Sequence, residues 1–313
     1  MSKIFKEVKK VEQPFHVQPK YKMKYEGAIY RPPSEAGSLI LQATVGCSHN
    51  KCTFCVSFKD KKFREKSLEE IFEDIEVASS HYKGTERIFL ADGNAMVMDT
   101  GKLLQILEKL YQQFPYLNRV GIYANPQDLL NKTKEDMSRL KEYGLKIVYY
   151  GIETGNEELL SYIKKGATRD EIIEGGKRAR EAGLVLSVTV INGLGGRDKM
   201  EEHAYDTATL LNEIDPEYLG LLTLMVCEGT TLAREVERGN LEVPDPFETL
   251  QEIRMMLTPL ELSNCVFRCN HASNYLPLKG TLPQDKEELL SLIDSVLLKK
   301  EKHLLRPEYL RAL

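Results

Sequence analysis

The chain has 313 residues, a formal net charge of −4 and 42% hydrophobic residues, which is typical of a protein with a substantial buried core. No stretch approaches the roughly 20 apolar residues of a transmembrane helix, and the first residues lack the apolar segment of a secretory signal. We therefore predict a cytoplasmic protein with no membrane partner. In a reducing compartment its six cysteines are expected to be metal ligands, reactive thiols or small buried residues.

The first 37 residues contain four prolines and are predicted to form an extended arm. Residues 1–32 carry eight Lys and Arg against three Asp and Glu, and a second basic run occupies 59–66. Short charge runs are more often solvated surface than binding sites. Nucleic-acid binding is therefore an alternative that we do not favour.

From Ser38 onward, short apolar runs alternate with amphipathic helical stretches, the pattern of βα units around a parallel sheet. We predict six strands, at residues 38–44, 87–92, 119–125, 146–153, 184–192 and 218–226. We predict helices at about residues 67–80, 100–113, 133–143, 156–163, 168–182, 200–213, 246–257 and 285–299. This order fits either a doubly wound sheet or an incomplete βα barrel, and periodicity does not choose between them.

The predicted strands end in polar or glycine-rich segments. A cysteine-rich loop follows the first strand, and the next four end in ADGN (91–94), YANP (123–126), GIETGN (151–156) and VINGLGG (190–196). Both architectures place their chemistry at the carboxyl ends of the strands. These segments are therefore predicted to lie on one rim of a core that spans 38–230. The alternation fades afterwards, and residues 231–313 are predicted to be an extension that closes the open side of a barrel.

The loop GCSHNKCTFC, residues 46–55, holds half of the cysteines of the chain. Three thiolates with His49 nearby can bind zinc or an iron–sulfur cluster, but no second cysteine pair follows at zinc-finger spacing. A cubane cluster held by Cys47, Cys52 and Cys55 would leave one iron without a protein ligand. An incompletely ligated metal is a reactive one, so the missing fourth ligand points to catalysis.

This loop and the βα units that follow it resemble the radical S-adenosylmethionine (SAM) superfamily, especially its Elp3/MiaB-like and coproporphyrinogen-oxidase-like branches. The resemblance covers about residues 38–230 and implies a partial (βα)6 TIM-like barrel, an α/β fold. It also implies that Cys47, Cys52 and Cys55 hold a [4Fe–4S] cluster whose fourth iron binds SAM. Reduction then cleaves SAM to methionine and a 5′-deoxyadenosyl radical, which abstracts hydrogen from a substrate. The family loop is CxxxCxxC, whereas this one is CxxxxCxxC; the additional residue either bulges the loop or moves His49 and Asn50 towards the cluster.

The resemblance implies further cofactor contacts at the strand ends. ADGN takes the place of the family's Gly-Gly-Glu stretch, which receives the SAM amino group, and Asn94 stands where the family has a carboxylate. Glu153 and Lys165 match positions that meet the ribose and the carboxylate of SAM, while Thr189 and Met225 match the adenine side. The complete set of predicted cofactor residues is Phe54, Asp92, Gly93, Asn94, Asn125, Glu153, Lys165, Thr189 and Met225.

The segment FRCNHASNYLP, residues 267–277, is polar within an otherwise apolar and helical tail. Such a composition favours a loop with convergent hydrogen bonds, which we predict to line a substrate pocket. Arg268 would bind an anionic group and His271 would act as acid or base. The predicted substrate residues are Arg268, Asn270, His271, Asn274 and Tyr275. Cys227, Cys265 and Cys269 either ligate an auxiliary cluster or, as we favour, are small buried residues.

The sequence thus predicts a radical SAM enzyme that uses a [4Fe–4S] cluster and SAM, with a one-electron donor such as flavodoxin or ferredoxin. The acidic net charge favours a small-molecule substrate, while tRNA modification and tetrapyrrole chemistry remain alternatives. A non-catalytic zinc- or iron–sulfur-binding protein is the alternative from a different class.

Overall fold

The computed structural model describes residues 23–313. Pro14 and Pro19 of the predicted arm lie outside the described residues. The strands are β1 Leu39–Gln42, β2 Thr44–Val45, β3 Arg64–Glu65, β4 Arg87–Ala91, β5 Arg119–Ala124, β6 Leu145–Glu153, β7 Val185–Asn192, β8 Tyr218–Thr223, β9 Cys265–Cys269 and β10 Leu278–Leu282. The α-helices are α1 Leu68–His81, α2 Thr100–Gln113, α3 Pro126–Leu130, α4 Lys134–Glu142, α5 Glu157–Tyr162, α6 Arg169–Glu181, α7 Met200–Ile214, α8 Thr231–Glu237, α9 Pro246–Leu257 and α10 Lys286–Lys299.

Eight of these strands form one sheet in the order β1-β4-β5-β6-β7-β8-β9-β10. All neighbours pair in parallel except β9 and β10, which are antiparallel. The order never reverses, so each crossover moves the chain in the same direction around the sheet. A doubly wound sheet needs a reversal, and the strand order therefore gives the partial TIM-like barrel that the resemblance implied.

The two faces of the sheet carry different side chains. Alternate residues, such as Val188, Leu219 and Phe267, join the main hydrophobic core beneath the helices. Residues of the opposite parity face the concave side, where Phe89, Ala91, Ile147 and Tyr149 form a separate apolar cluster. These apolar residues therefore fill part of the concave face of the sheet.

The segment before β1 packs against this concave-side apolar cluster. Ile29 contacts it, and the Glu35 carboxylate is completely buried, where it accepts hydrogen bonds from the Tyr149 hydroxyl and the Arg119 guanidinium. The Arg119 nitrogen lies 2.7 Å from the Glu35 oxygen. The described part of the predicted arm therefore closes the amino end of the barrel.

The six predicted strands and all eight predicted helices are present, with boundaries that differ by a few residues. The sequence did not predict β3, β9 and β10, did not separate β2 from β1, and missed the short helices α3 and α8. Strand β9 pairs in parallel with β8, so residues after 230 continue the sheet. No helix of the described residues is long and apolar enough to cross a membrane.

Candidate active site

The cysteine loop lies against the end of β4. The Gly46 amide donates to the Asp92 carboxylate at 3.1 Å, and Gly46 has a φ of +73°, which favours glycine. A Cβ on Gly93 would lie 2.7 Å from the Cβ of Cys47. Glycine at 93 is therefore required for the loop to pack this closely on the strand end.

The additional residue of the loop is accommodated by a left-handed turn at Asn50, whose φ is 41°. The Asn50 amide donates to the Phe58 carbonyl at 2.8 Å, and His49 Nε2 lies 2.6 Å from the Lys164 carbonyl oxygen. Gly166 leaves room for the ring, because a Cβ there would be 2.5 Å from His49. The bulge thus binds the loop to the segment after α5, and these contacts occupy both polar side chains.

The three loop thiols are half-buried. Burial raises the pKa of the Cys52 thiol to about 11; Lys165 opposes this shift, while the charges of Cys55 and Cys47 reinforce it. Asn125 donates to the Cys47 sulfur at 3.6 Å. Within residues 23–313, no three His, Cys, Asp or Glu side chains surround a single metal ion. Three thiols on one loop would leave one iron of a cubane cluster without a protein ligand, whereas structural zinc normally takes four ligands.

Asp92 is buried behind the loop. Its Oδ2 accepts from Lys61 at 2.6 Å, from Gly46 at 3.1 Å and from Gln42 at 3.4 Å. Its Oδ1 is buried and has no partner among the described residues. Burial raises the carboxyl pKa, and the Lys61 ammonium opposes the rise. A buried acceptor without a donor fits a site that receives a donor from a ligand.

The Asn94 side chain supports the cysteine loop through hydrogen bonds to Ser48. Its Oδ1 accepts from the Ser48 amide at 2.9 Å, and its Nδ2 donates to the Ser48 hydroxyl at 2.7 Å and to the Asp128 carboxylate at 2.9 and 3.0 Å. The side chain is completely buried. Both of its polar atoms are therefore engaged with protein partners that position the loop, and its contact with SAM stays a prediction.

Asp128 is a site residue that the sequence analysis missed. It is the third residue of α3, and its carboxylate also accepts from the Asn125 amide at 2.8 Å, which completes a capping box. Burial raises its pKa to about 6, against the hydrogen bonds from Asn125 and Asn94. The Asn-Pro-x-Asp pattern at 125–128 is a helix-start signal that could have revealed it.

Glu153 and Lys165 form a buried ion pair at 2.8 Å. A bulge between Gly151 and Glu153 and a φ of 68° at Glu153 turn its carboxylate back over the strand end. Burial tends to lower the pKa of Lys165, but the charges of Glu153 and Cys52 outweigh it and raise that pKa. This pair thus places a carboxylate and an ammonium beside the cysteine loop, where the sequence analysis predicted the ribose and carboxylate of SAM.

A cavity of about 200 Å³ opens beside the ion pair. It is lined by Ser48, His49, Asn125, Pro126, Gln127, Asp128 and Lys165. Thr189 is half-buried on the concave side of β7, opposite Gly151, and Met225 is half-buried in the loop after β8. Phe54 packs against a small apolar cluster that includes Ile163 and Leu232 and so anchors the loop.

The three remaining cysteines do not form a second site within the described residues. Cys265 and Cys269 are buried in the main core, and burial raises the pKa of each thiol to about 12. Cys227 is half-buried on the rim and close enough to Cys55 for that thiol to raise its pKa, in addition to burial. Cys265 and Cys269 are therefore the small buried residues that we favoured.

The predicted substrate loop lies on the same rim, at the carboxyl end of β9. Asn274 is completely buried; its amide donates to the Leu221 carbonyl at 2.8 Å and accepts from the Thr223 hydroxyl at 2.9 Å. The Tyr275 hydroxyl donates to Glu308 at 2.8 Å. These contacts hold the loop to β8 and to the chain's last residues, and the substrate contacts of Asn274 and Tyr275 stay predictions.

The other three predicted substrate residues remain accessible: Arg268 and Asn270 are exposed and His271 is half-buried. The Nδ1 atom of His271 accepts from the Ser273 amide at 3.2 Å. Burial lowers the pKa of His271, and the nearby Arg306 adds to the effect. With Nδ1 an acceptor, the neutral ring carries its proton on Nε2.

Comparison with known proteins agrees with this architecture. The family model described as the radical SAM superfamily matches residues 41–211, more than half of the chain. The chain is 24% identical over 226 residues to the heme chaperone HemW of Bacillus subtilis (strain 168), covering 69% of this chain and 58% of that protein. It is 27% identical over 154 residues to a putative methylthiotransferase of Methanocaldococcus jannaschii, covering 47% of this chain and 33% of that protein. The chain thus spans between a third and three fifths of these relatives.

Solved structures share the fold at low sequence identity. The coproporphyrinogen III oxidase HemN of Escherichia coli, a radical SAM enzyme, superposes with a TM-score of 0.53 at 16% identity, over 71% of this chain and 52% of that one. Methylornithine synthase superposes with a TM-score of 0.51 at 17% identity, over 72% and 63%. The chain belongs to the radical SAM superfamily. It is accordingly an enzyme of the class that binds a [4Fe–4S] cluster and SAM.

Proposed function

We propose that Cys47, Cys52 and Cys55 ligate the [4Fe–4S] cluster and that SAM occupies the adjoining strand-end cavity. The observation that carries this proposal is the three-thiol loop, packed on Gly93 without room for a side chain. When bound and reduced, the cluster supplies the electron that cleaves SAM to methionine and the 5′-deoxyadenosyl radical. The chain's own residues hold the loop, through Asp92 and Asn94, and shape the cavity beside it.

Polar groups at the strand ends, of which Lys165 lines the cavity, suggest how SAM would be oriented. The Lys165 ammonium suits the SAM carboxylate, and the unpartnered Asp92 Oδ1 suits the SAM amino group. Glu153 suits the ribose hydroxyls, while Thr189 and Met225 extend the site towards the adenine. Each of these roles pairs a charged or polar group with a complementary group of SAM.

We propose a small molecule as the substrate, bound on the concave face of the sheet, and a one-electron donor such as flavodoxin or ferredoxin as partner. The net charge of −4 supports a small molecule over tRNA, because nucleic-acid binding usually requires a basic surface. The relatives carry names as different as heme chaperone and methylthiotransferase, and so do not identify the substrate.

The test is anaerobic reconstitution of the wild type, followed by iron analysis and measurement of 5′-deoxyadenosine after adding SAM and dithionite. We expect about four irons per chain and dithionite-dependent 5′-deoxyadenosine. Cys55→Ala should lose both, whereas Cys269→Ala, which removes a thiol from the core, should retain both. Zinc in place of iron, no SAM cleavage, or equal losses in the two variants would refute the assignment.

A further inference from the structure

Five residues that pair directly across neighbouring strands form one row on the concave face of the sheet. Gly151 pairs with Thr189, Thr189 with Gly220, Gly220 with Arg268, and Arg268 with Lys279. Directly paired residues project from the same face of a sheet. Their chain neighbours, among them Val188, Leu219, Phe267 and Leu278, lie in the helix-side core, so the row projects to the concave side.

Two cations stand opposite each other at the outer end of this row. Arg268 on β9 and Lys279 on β10 are both exposed. Like charges in direct cross-strand register are destabilising. Neither side chain forms an ion pair with any residue of the described chain. The sheet therefore holds two uncompensated positive charges together at the open edge of the barrel.

Arg268 is also held in position. Its Nη1 donates to the Phe267 carbonyl at 2.8 Å and to the Gly280 carbonyl at 3.2 Å. These bonds leave Nε and Nη2 without a partner in residues 23–313, so the guanidinium retains donors on one side. Arginine fixed in this way suits carboxylate and phosphate oxygens, which accept paired hydrogen bonds.

The middle of the row, at Gly220, is open. A Cβ on Gly220 would meet nothing closer than the Val188 carbonyl at 3.7 Å and the Thr189 hydroxyl at 4.0 Å. At the inner end, a Cβ on Gly151 would lie 2.6 Å from the Glu153 carboxylate and 3.5 Å from the Lys165 ammonium, so this ion pair bounds the row. Three strand spacings separate Gly151 from Arg268, about 14 Å along the sheet, which is a small-molecule length.

We propose that Arg268 and Lys279 form a binding subsite for a carboxylate or phosphate group of the substrate, an inference that rests on the proposed function. The substrate lies along the row, with its anionic end at the two cations. Its reacting part then lies over Thr189 and Gly220, towards the SAM cavity. The anion neutralises a like-charge pair that the sheet leaves uncompensated.

The test is calorimetric titration of the reconstituted, SAM-saturated enzyme with inorganic phosphate and, separately, with glutarate. SAM saturation keeps the probe away from Lys165. We expect one anion site per chain, and at least tenfold weaker binding in Arg268→Gln/Lys279→Gln. The charge-preserving Arg268→Lys/Lys279→Arg should retain binding within a few-fold. The tighter of the two probes identifies the group as phosphate or carboxylate.

The matched control is Lys83→Gln/Arg139→Gln, which removes the same charge from two exposed residues outside the concave face. It should bind both probes as the wild type does. The subsite is refuted if the wild type binds neither probe at millimolar concentration, or if the two charge-removing variants weaken binding equally. Absence of 5′-deoxyadenosine from the wild type would instead refute the proposed function, because that measurement does not depend on the anion titration.

Discussion

Gly93 shows how one residue decides whether the cysteine loop can reach its position. Any side chain there would collide with Cys47, since even a Cβ would lie 2.8 Å from its Cα. Asp92 and Asn94, on either side, bond to the backbone amides of Gly46 and Ser48. Asp92, Gly93 and Asn94 together support the cysteine loop, and their role is to position its thiols.

The Glu153–Lys165 pair gives the first residue-scale prediction. Lys165→Met leaves a buried carboxylate without its cation, and we expect the free energy of unfolding to fall by about 3 kcal/mol. Glu153→Gln/Lys165→Met removes both charges and should recover most of that loss while SAM binding stays weakened. Urea unfolding and SAM titration measure the two effects.

Lys134→Met is the matched control, because Lys134 pairs with Glu181 at 3.0 Å on the exposed surface. Its loss should lower the free energy of unfolding by less than about 1 kcal/mol. If the double variant bound SAM as tightly as the wild type, the pair would be purely structural.

The second residue-scale prediction concerns Asp128, whose pKa burial raises from 3.8 to about 6. A carboxyl whose folded-state pKa is raised stabilises the fold below its unfolded pKa, and loses that contribution as pH rises through the folded value. Relative to Asp128→Asn, wild-type stability should therefore fall between about pH 4 and pH 6, by up to about 3 kcal/mol.

Urea unfolding of both proteins at pH 4.5 and pH 7.5 measures this difference. The exposed Asp170→Asn should show no comparable pH-dependent difference from the wild type. A pH-independent gap between wild type and Asp128→Asn would mean that the Asp128 carboxyl titrates at its ordinary value.

Among the secondary-structure elements, the loop after β9 is held in place by Arg306 and Arg311 near the end of the chain. Arg311 is buried, donates to the carbonyls of Ser273 and Leu224 at 2.6 and 2.8 Å, and stacks on the Tyr275 ring at 4.1 Å. Arg306 donates to the carbonyls of His271, Ala272 and Asn274. Two arginines thus fix a loop that has no regular structure of its own.

Arg311→Ala should therefore release the loop. We expect the free energy of unfolding to fall by about 3 kcal/mol, since several charge-assisted hydrogen bonds are lost from buried carbonyls. Hydrogen exchange at residues 270–277 should quicken, whereas the exposed Arg139→Ala should leave it unchanged. Unaltered exchange in Arg311→Ala would show that β8 alone holds the loop.

For the molecule as a whole, the singly wound sheet gathers the carboxyl ends of its seven parallel strands on one rim, and exposed lysines lie beside the cysteine loop. Lys51 and Lys59 lie close enough to His49 for their charges to lower its pKa, after burial, and Lys59 donates to the Asn50 carbonyl at 2.7 Å. A basic surface next to the cluster site suits an acidic electron donor.

Lys51→Glu/Lys59→Glu should accordingly lower the ratio of flavodoxin-driven to dithionite-driven 5′-deoxyadenosine formation at least tenfold at low salt. Added salt should narrow the difference, because screening weakens long-range attraction. Lys83→Glu/Lys141→Glu changes the same charge elsewhere on the surface and should leave the ratio unaltered. An unchanged ratio in the first variant would place the donor elsewhere.

The order of strands and helices and the position of the cysteine loop could be predicted from the amino-acid sequence. These signals are local: apolar residues repeat at the period of each element, and helix starts carry capping residues such as Thr168 and Glu171, which form a capping box. The placement of the cysteine loop at the end of a strand followed from the same order of strands and helices. The resemblance of the loop and of the motifs after it then identified the family correctly.

The contacts of the polar side chains, in contrast, depend on how distant segments pack in three dimensions. Asn94 meets Asp128, Arg311 meets Leu224, and Arg268 faces Lys279 only because distant segments pack together. Periodicity carries no information about such pairs, so the sequence could not show that Asn94 and Asn274 bond to distant protein segments. The same packing turned residues after 230 into the continuing strand β9, because an unpaired edge of β8 was available to it.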